Sequence, residues 1–371
     1  MKWFGRKAGR DAARPALARG FGLAFGNGEW PRSFEAQVRD AYQINPIAQR
    51  AVRLVAESIG SAPLKCSEAG VETLVQAQSG GQSLLETAAS HLLLHGNAYI
   101  ELLDSAGSGL PTLVEASGLK ELFALRPDRV TVEADARGWP GAYLYRVGDV
   151  MQRIEPERLV HVRTFHPTDD HYGLGCLGAA SGAVAIHNAA TRWNKALLDN
   201  AARPSGALVH DGQDGLALSP DQFDRLKEEL EAQFQGAANA GRPMLLEGGL
   251  RWQAMSLTPA DMDFVGLKAA AAREIALAFG VPPMLLGLPG DSTYANYREA
   301  NRSLWRLTIL PLAGKMLGAI RQGLAPWWPD LEIGVDVDRV PELSEDRERL
   351  WAMVAGADWL SADEKRGAVG L

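Results

Sequence analysis

Two patterns in the chain have the residue types and spacing that chemistry could use. The first is Gly173-Leu174-Gly175-Cys176-Leu177-Gly178, a GxGxxG run between a strand-like and a helix-like segment. In a dinucleotide site such glycines stand directly at the strand's end, so that backbone amides at the helix N-terminus meet the pyrophosphate. Here seven residues, His166 to Tyr172, intervene, and Asp199, the acid at about the right distance, falls inside a helical stretch rather than on a second strand. Glycine at a loop-to-helix junction is the better reading; a nucleotide-binding enzyme built on Gly173–Gly178 is its alternative. The second pattern is histidine spacing. His91 and His95 share a helix face, as metal ligands would, but no third ligand has matching spacing. His161, His166 and His171 flank a loop that carries Asp169 and Asp170, a set that could hold a metal, although structural histidines are the expected reading of both groups. No GxSxG, Walker A or HExxH pattern occurs. Neither an enzyme nor a cofactor or metal site is expected.

Composition narrows the class. The chain has 371 residues, 46% hydrophobic and 22% charged, the balance of a folded protein rather than a disordered one. Two cysteines, Cys66 and Cys176, exclude a disulfide framework and point to a reducing compartment. No apolar run approaches the roughly 20 residues that span a bilayer, so no membrane association is expected. The basic N-terminus lacks the apolar stretch of a secretory signal. Charge is unevenly placed: residues 1–20 hold six Lys/Arg against one Asp, and residues 330–371 hold eleven Asp/Glu against five Lys/Arg, within a net charge of −7. A static DNA-binding domain carries a basic excess, because phosphate neutralisation supplies most of its affinity. If DNA is a partner, this protein does not grip it everywhere.

The elements that must position these residues follow from periodicity. Residues 1–32 read as a mobile basic arm. A helical pattern begins at about Ser33, with Ile47, Val52, Val55 and Ile59 on one face and Gly60-Ser61 and Pro63 as the stop. A second helix over about 83–95 is capped by Ser83 and ended by Gly96-Asn97. Strand-like runs follow at 98–103, LKELFAL, RVTVEA, AYLYRV and 158–165, together a mostly antiparallel β layer beside helices. Residues 176–202 carry nine alanines and read as a long helix that packs closely. ALVHD, a helix opened by Ser219-Pro220-Asp221-Gln222, PMLLEGG and LRWQAMSL make 203–257 a β-α-β-β unit. A helix from Thr258 runs to Phe279 and stops at Gly280-Val281-Pro282-Pro283. A loop leads into a helix over about 295–324, bent at Pro311, and then into a short strand and an acidic helix. The fold class is α+β.

Several stretches, in this order, resemble the portal proteins of tailed double-stranded-DNA phages and the related gene transfer agents. They are His95-Gly96-Asn97-Ala98-Tyr99-Ile100, Leu125-Arg126-Pro127-Asp128-Arg129-Val130, His161-Val162-Arg163 and Tyr172-Gly173-Leu174-Gly175. Arg203-Pro204-Ser205-Gly206 follows. The most specific run is Glu274-Ile275-Ala276, Phe279-Gly280-Val281-Pro282-Pro283 and Leu285-Leu286-Gly287, then Thr293-Tyr294-Ala295-Asn296 and Thr308-Ile309-Leu310-Pro311.

The resemblance implies a ring, usually of twelve subunits, at one capsid vertex of the virion, assembled in the cytoplasm of a bacterial host. DNA would be pumped in through its channel by the terminase motor and leave through it at ejection. It implies a wing (33–175), a stem of two helices (176–202 and 258–280), a clip inserted between them (203–257), a tunnel loop with the long kinked helix (281–329) and a short crown (330–371). The expected partners are further copies of the chain, double-stranded DNA in transit, the terminase large subunit, the major capsid protein and a head-tail adaptor. Another head-tail connector component is the remaining alternative; it would lack the inserted β-α-β-β unit. The residues expected to face DNA are Asp291, Ser292, Thr293 and Tyr294 in the tunnel loop, with Lys195 and Lys268 on the stem helices. Asp221, Asp224, Glu228 and Glu231 would present the acidic clip to docking proteins. A neutral or acidic wall lets DNA slide by avoiding the affinity that counterion release would add.

Overall fold

Local sequence chemistry sets most element boundaries. In the computed structural model the described residues are 33–79, 81–104, 118–199, 206–210, 219, 221–222, 224–225, 228, 250–254, 263–288 and 293–369. They divide into two compact units, one comprising residues up to Ser181 and from Ile275 onward, the other Gly182–Glu274. The basic arm at 1–32 lies outside the described residues.

The first unit opens with α1 (Phe34–Val38), which runs into a π-helical turn, Arg39–Gln43, before α2 (Pro46–Gly60). The single helical pattern expected from Ser33 is therefore broken. Asn45 takes an extended conformation and accepts from Ile47 N and Ala48 N at 3.0 and 3.1 Å, with Pro46 at the first helical position, where no N–H is needed. A short strand β1 (Leu64–Cys66), helix α3 (Ala69–Gln76) and the small hairpin β2 (Gln78–Ser79) with β3 (Gln82–Ser83) follow. Helix α4 (Leu84–His95) starts at Ser83 and ends at Gly96, whose φ of 84° is the left-handed closure that glycine adopts at little cost.

The expected β layer is two three-stranded antiparallel sheets. One has the order β5 (Leu119–Leu125), β4 (Asn97–Asp104), β9 (Leu159–Arg163); the other runs β6 (Val130–Ala134), β7 (Pro140–Val147), β8 (Val150–Ile154). Strand β8 has no sequence signature, because four of its five residues are exposed and its pattern does not alternate. Tyr99, Leu125, Val130, Val132, Tyr143, Ile154 and Leu159 bury one shared core.

Helix α5 (Cys176–Asp199) crosses the unit boundary. In the second unit β10 (Gly206–His210) pairs antiparallel with β11 (Leu250–Ala254), Gly206 opposite Ala254 and His210 opposite Leu250. Between these strands the expected helix start is present as a reciprocal cap: Gln222 N donates to Ser219 Oγ (3.3 Å) and Ser219 N donates to Gln222 Oε1 (3.0 Å). The apolar stripe Phe223, Leu226, Leu230 and Phe234, the strand PMLLEGG and the start Thr258–Asp261 lie outside the described residues. Helix α6 (Phe264–Ala278) begins after Asp263, whose carboxylate accepts from Gly266 N at 3.1 Å.

The long helix expected at 295–324 is α7 (Tyr294–Leu304), a π-turn (Trp305–Ile309) and α8 (Leu310–Leu324). Leu310 N donates to Trp305 O, five residues back rather than four. This one-residue widening lies directly before Pro311, which has no N–H to offer the preceding turn. Helix α8 presses closely on β9: a Cβ at Gly323 would fall 2.3 Å from Val160 Cγ2. Strand β12 (Ile333–Val335) pairs with β1, and α9 (Ser344–Ala355) and α10 (Ala362–Ala368) complete the chain.

Candidate functional site

Three of the motifs quoted from the sequence meet in space around one buried side chain. Asn97 is fully buried at the start of β4. Its Oδ1 accepts from Gly173 N at 2.7 Å, which fixes the orientation of the amide. His161 Nε2 stands 3.0 Å from the same oxygen and therefore carries the proton, since an amide oxygen only accepts. Asn97 Nδ2 donates to Gly173 O (3.3 Å) and faces His95 Nδ1 (3.1 Å). Thr164 binds the same loop: its N donates to Gly96 O (2.9 Å), and its single hydroxyl hydrogen is directed to Leu174 O (2.7 Å), with Gly96 O 3.1 Å from the same Oγ1. Tyr172 Oη accepts from Val132 N at 2.9 Å. The chain is so tight here that a Cβ at Gly173 would lie 2.0 Å from Gly96 O, and one at Gly175 2.4 Å from Leu94 O. These two glycines serve backbone-on-backbone packing and leave no space for a pyrophosphate between them and the chain they touch.

Two histidines, His95 and His161, belong to the same cluster. His161 stacks on Tyr99 at 4.3 Å, and burial pushes its pKa down to about 3, with Arg163 and His171 adding in the same direction. His91 is lowered to about 4, first by burial and then by His95; His95 is lowered by burial and packs its ring edge-on to Phe34. Asp169 Oδ1 accepts from the backbone of His171 and Tyr172 at 2.7 and 2.9 Å, and His166 Nδ1 accepts from Thr168 N at 3.2 Å. Among the described residues no three His, Cys, Asp or Glu side chains stand close enough to hold a metal. Replacing Asn97 with alanine strands the buried Gly173 N–H and is expected to cost about 2–3 kcal/mol in urea unfolding. A loss below about 0.5 kcal/mol would show that the hub carries no weight.

A second staple joins two further motifs. Thr308 Oγ1 donates to Gly280 O at 2.6 Å, and Gly280, at φ 65°, has no room for a Cβ, which would fall 2.8 Å from that hydroxyl. This contact ties the end of α6 to the π-turn ahead of Pro311. Pro283–Leu286 form a 3₁₀ turn closed by left-handed Gly287, and the chain then leaves the described residues until Thr293.

The residues expected to face DNA are placed as follows. Asp291 and Ser292 lie outside the described residues. Thr293 caps α7, its Oγ1 accepting from Asn296 N at 3.3 Å. Tyr294 is 79% exposed, with the Arg298 guanidinium 5.4 Å from its ring centroid. Lys195, an exposed residue of α5, is paired with Asp199 at 2.6 Å, one turn along. Lys268 is half-buried on α6; burial and then the Lys268 charge lower the pKa of His187. Trp193 stacks on Phe264 at 6.0 Å, so within the second unit the α5 and α6 chains lie side by side. Of the acidic docking candidates, Asp221, Asp224 and Glu228 are exposed and three to four residues apart, which puts them on one helix face; Glu231 lies outside the described residues.

Sequence reading missed Arg298, Arg302 and Glu345. Arg302 is buried on α7 and donates to Glu299 (2.7 Å) and to Glu345 at the start of α9 (2.6 Å); Arg298 pairs with the same Glu345. The signal for the Glu299–Arg302 pair was local, at i,i+3. Glu345 is more than 40 residues away, and no periodicity reports such a partner.

The chain matches the family model of the phage portal proteins over residues 46–370. It is 41% identical over 355 residues to an uncharacterised protein of Rickettsia bellii (strain RML369-C), covering 90% of this chain and 88% of the relative. It is 24% identical over 363 residues to a probable portal protein of Streptomyces phage phiC31, covering 89% of this chain and 75% of that one. Among solved structures it resembles a chain in the neck of a native gene transfer agent particle computed with C12 symmetry, with 46% identity, a TM-score of 0.69, and coverage of 92% of this chain and 94% of that one. On the converging motifs, the mixed helix-and-sheet fold and these matches, the chain belongs to the phage portal protein family.

Proposed function

We propose that twelve copies of this chain close into a ring at one capsid vertex of a phage or gene transfer agent particle, and that the ring is the conduit for packaging and ejecting double-stranded DNA. The observation that carries the reading is the 46% identity, across 92% of the chain, to a subunit of a particle neck with C12 symmetry. On this reading residues 33–175 form the wing, 176–202 and 258–280 the stem, 203–257 the clip, 281–329 the tunnel loop and kinked helix, and 330–371 a short crown. The basic arm is 1–32. The separate compactness of Gly182–Glu274 supports a clip carried between stem helices. In the ring Asp291, Ser292, Thr293 and Tyr294 would meet DNA, and Lys195 and Lys268 would guide its phosphates without the dense positive charge that would arrest it. The acidic face of Asp221, Asp224, Glu228 and Glu231 would receive the terminase large subunit or a head-tail adaptor, and the ring would sit in the shell of the major capsid protein. Assembly would take place in the cytoplasm of the bacterial host. The role is structural rather than enzymatic, a reading supported by glycines at 173 and 175 that are taken up by chain packing.

The purified protein is expected to give annular particles with a central hole in negative stain, and a mass of about 480 kDa for twelve chains of 40.0 kDa. Monomers at every concentration up to those of the particle neck would remove the reading. Saturable binding of NAD or ATP to the monomer would favour the enzyme alternative.

A further inference from the structure

A closed ring needs two different, complementary patches on each copy, because a head-to-tail contact cannot use one patch against itself. The unit that holds both chain ends carries such a pair. The first is a groove of about 510 Å³ between α8, α9 and the turn before α9. Its walls are apolar (Leu310, Leu343, Leu350 and Met353), and arginines 306, 347 and 349 border it. The acid in the groove, Asp338, is already paired with Arg347. Met353 is 71% exposed and Leu350 is also exposed, an unusual outlay of apolar surface for a solvated helix.

The second patch lies in the turn between α9 and α10. Trp359 is 82% exposed there. Asp358 stands beside it in sequence; of the acids that follow, Asp363 lies 3.9 Å from Arg366 and Glu364 is held in the cap by Ser361, while Lys365 Nζ donates to Ala355 O at 3.1 Å. The turn is closed by hydrogen bonds. Ser361 and Glu364 form a reciprocal cap on α10, and Leu360 N donates to Ala357 O at 3.2 Å. A large aromatic side chain on a pre-ordered, acid-flanked turn is the kind of anchor that dominates binding energy, because little ordering remains to be done on contact. Trp359 does not line the groove of its own chain.

We infer that Trp359 of one copy inserts into the Arg349-bordered groove of the next, with Asp358 facing Arg349. This deepens the ring reading and rests on it: it names the two surfaces that make the head-to-tail contact. Apolar walls receive the indole, and the basic border meets the acidic flank. A second copy of this chain supplies both halves, an indole for the apolar walls and the Asp358 carboxylate for Arg349.

The test is the mass distribution of the full-length chain by mass photometry, with circular dichroism to check folding. Trp359→Ala, Asp358→Arg and Arg349→Glu each change an exposed residue and are expected to fold as the parent does. Each is expected to raise the concentration at which rings form by about tenfold or more. The double variant Asp358→Arg/Arg349→Glu restores the opposite charges in reverse and is expected to recover rings. Parent rings indifferent to Trp359→Ala, or single losses that the double variant does not rescue, overturn the pairing and leave the ring reading standing. A parent chain that never forms rings overturns both.

Discussion

Gly173→Ala is expected to destabilise the chain by about 3 kcal/mol or more, and Gly178→Ala to leave it unchanged or slightly more stable. Both glycines belong to the same GxGxxG run, yet their surroundings are opposite. A methyl group at 173 would stand 2.0 Å from Gly96 O and 2.7 Å from Thr164 N, both backbone atoms held by hydrogen bonds. Relief would require separating the loop from the end of α4, which also breaks both contacts to Asn97. At Gly178 a Cβ meets nothing within 4 Å and the residue lies in the first turn of α5, so alanine would gain up to about 1 kcal/mol of helix propensity. Urea unfolding of the two variants against the parent reads the difference. Equal tolerance at both positions would remove the packing account. Equal stability with lost nucleotide affinity would revive the cofactor account.

Acid is expected to weaken the fold well before the carboxylates protonate. His161 and His91 are held neutral, with pKa values lowered by burial to about 3 and about 4. In the unfolded chain both return to about 6.5. A lowered histidine contributes stability that is complete above the unfolded value and is lost as pH falls from there toward the folded value, because only the unfolded state takes up protons in that window. Between pH 6.5 and 5 the two groups together are expected to cost about 3 kcal/mol. His95, also lowered by burial, acts in the same sense. Glu101, raised mainly by burial and opposed by its bond from Gln152, acts in the opposite sense nearer the carboxylate range. Urea midpoints at fixed protein concentration across this interval give the slope, and His91→Leu should reduce it by about half. A flat profile would mean that neither imidazole is sealed from water.

Gly173 and His161 lie in stretches that carry the family resemblance, and the structure gives those stretches a physical meaning. His95–Ile100, His161–Arg163 and Tyr172–Gly175 are three sides of the Asn97 hub, and Gly280 and Thr308 are the two halves of one staple. At Gly173 and Gly175 these contacts pack chain directly on chain, so the glycines do not stand open as they do in a phosphate-binding loop.

What could be read along the chain was whatever is decided within a few residues. Helix α4 was legible because Ser83 and Gly96 are local caps, and the start at Ser219 because Gln222 answers it three residues later. Strands β4 to β7 and β9 announced themselves by β-branched and aromatic runs between turns. Tertiary structure alone decided the split of the β layer into two sheets, the edge strand β8 with almost no buried face, and the pairing of β1 with β12 more than 260 residues later. It also decided that Glu345 holds both Arg298 and Arg302, and that His161 turns inward to Asn97 rather than toward His166 and His171. Caps, turns and propensities are settled by neighbours in sequence. Which buried donor meets which acceptor is settled by the packing of distant segments, and spacing carries no record of it.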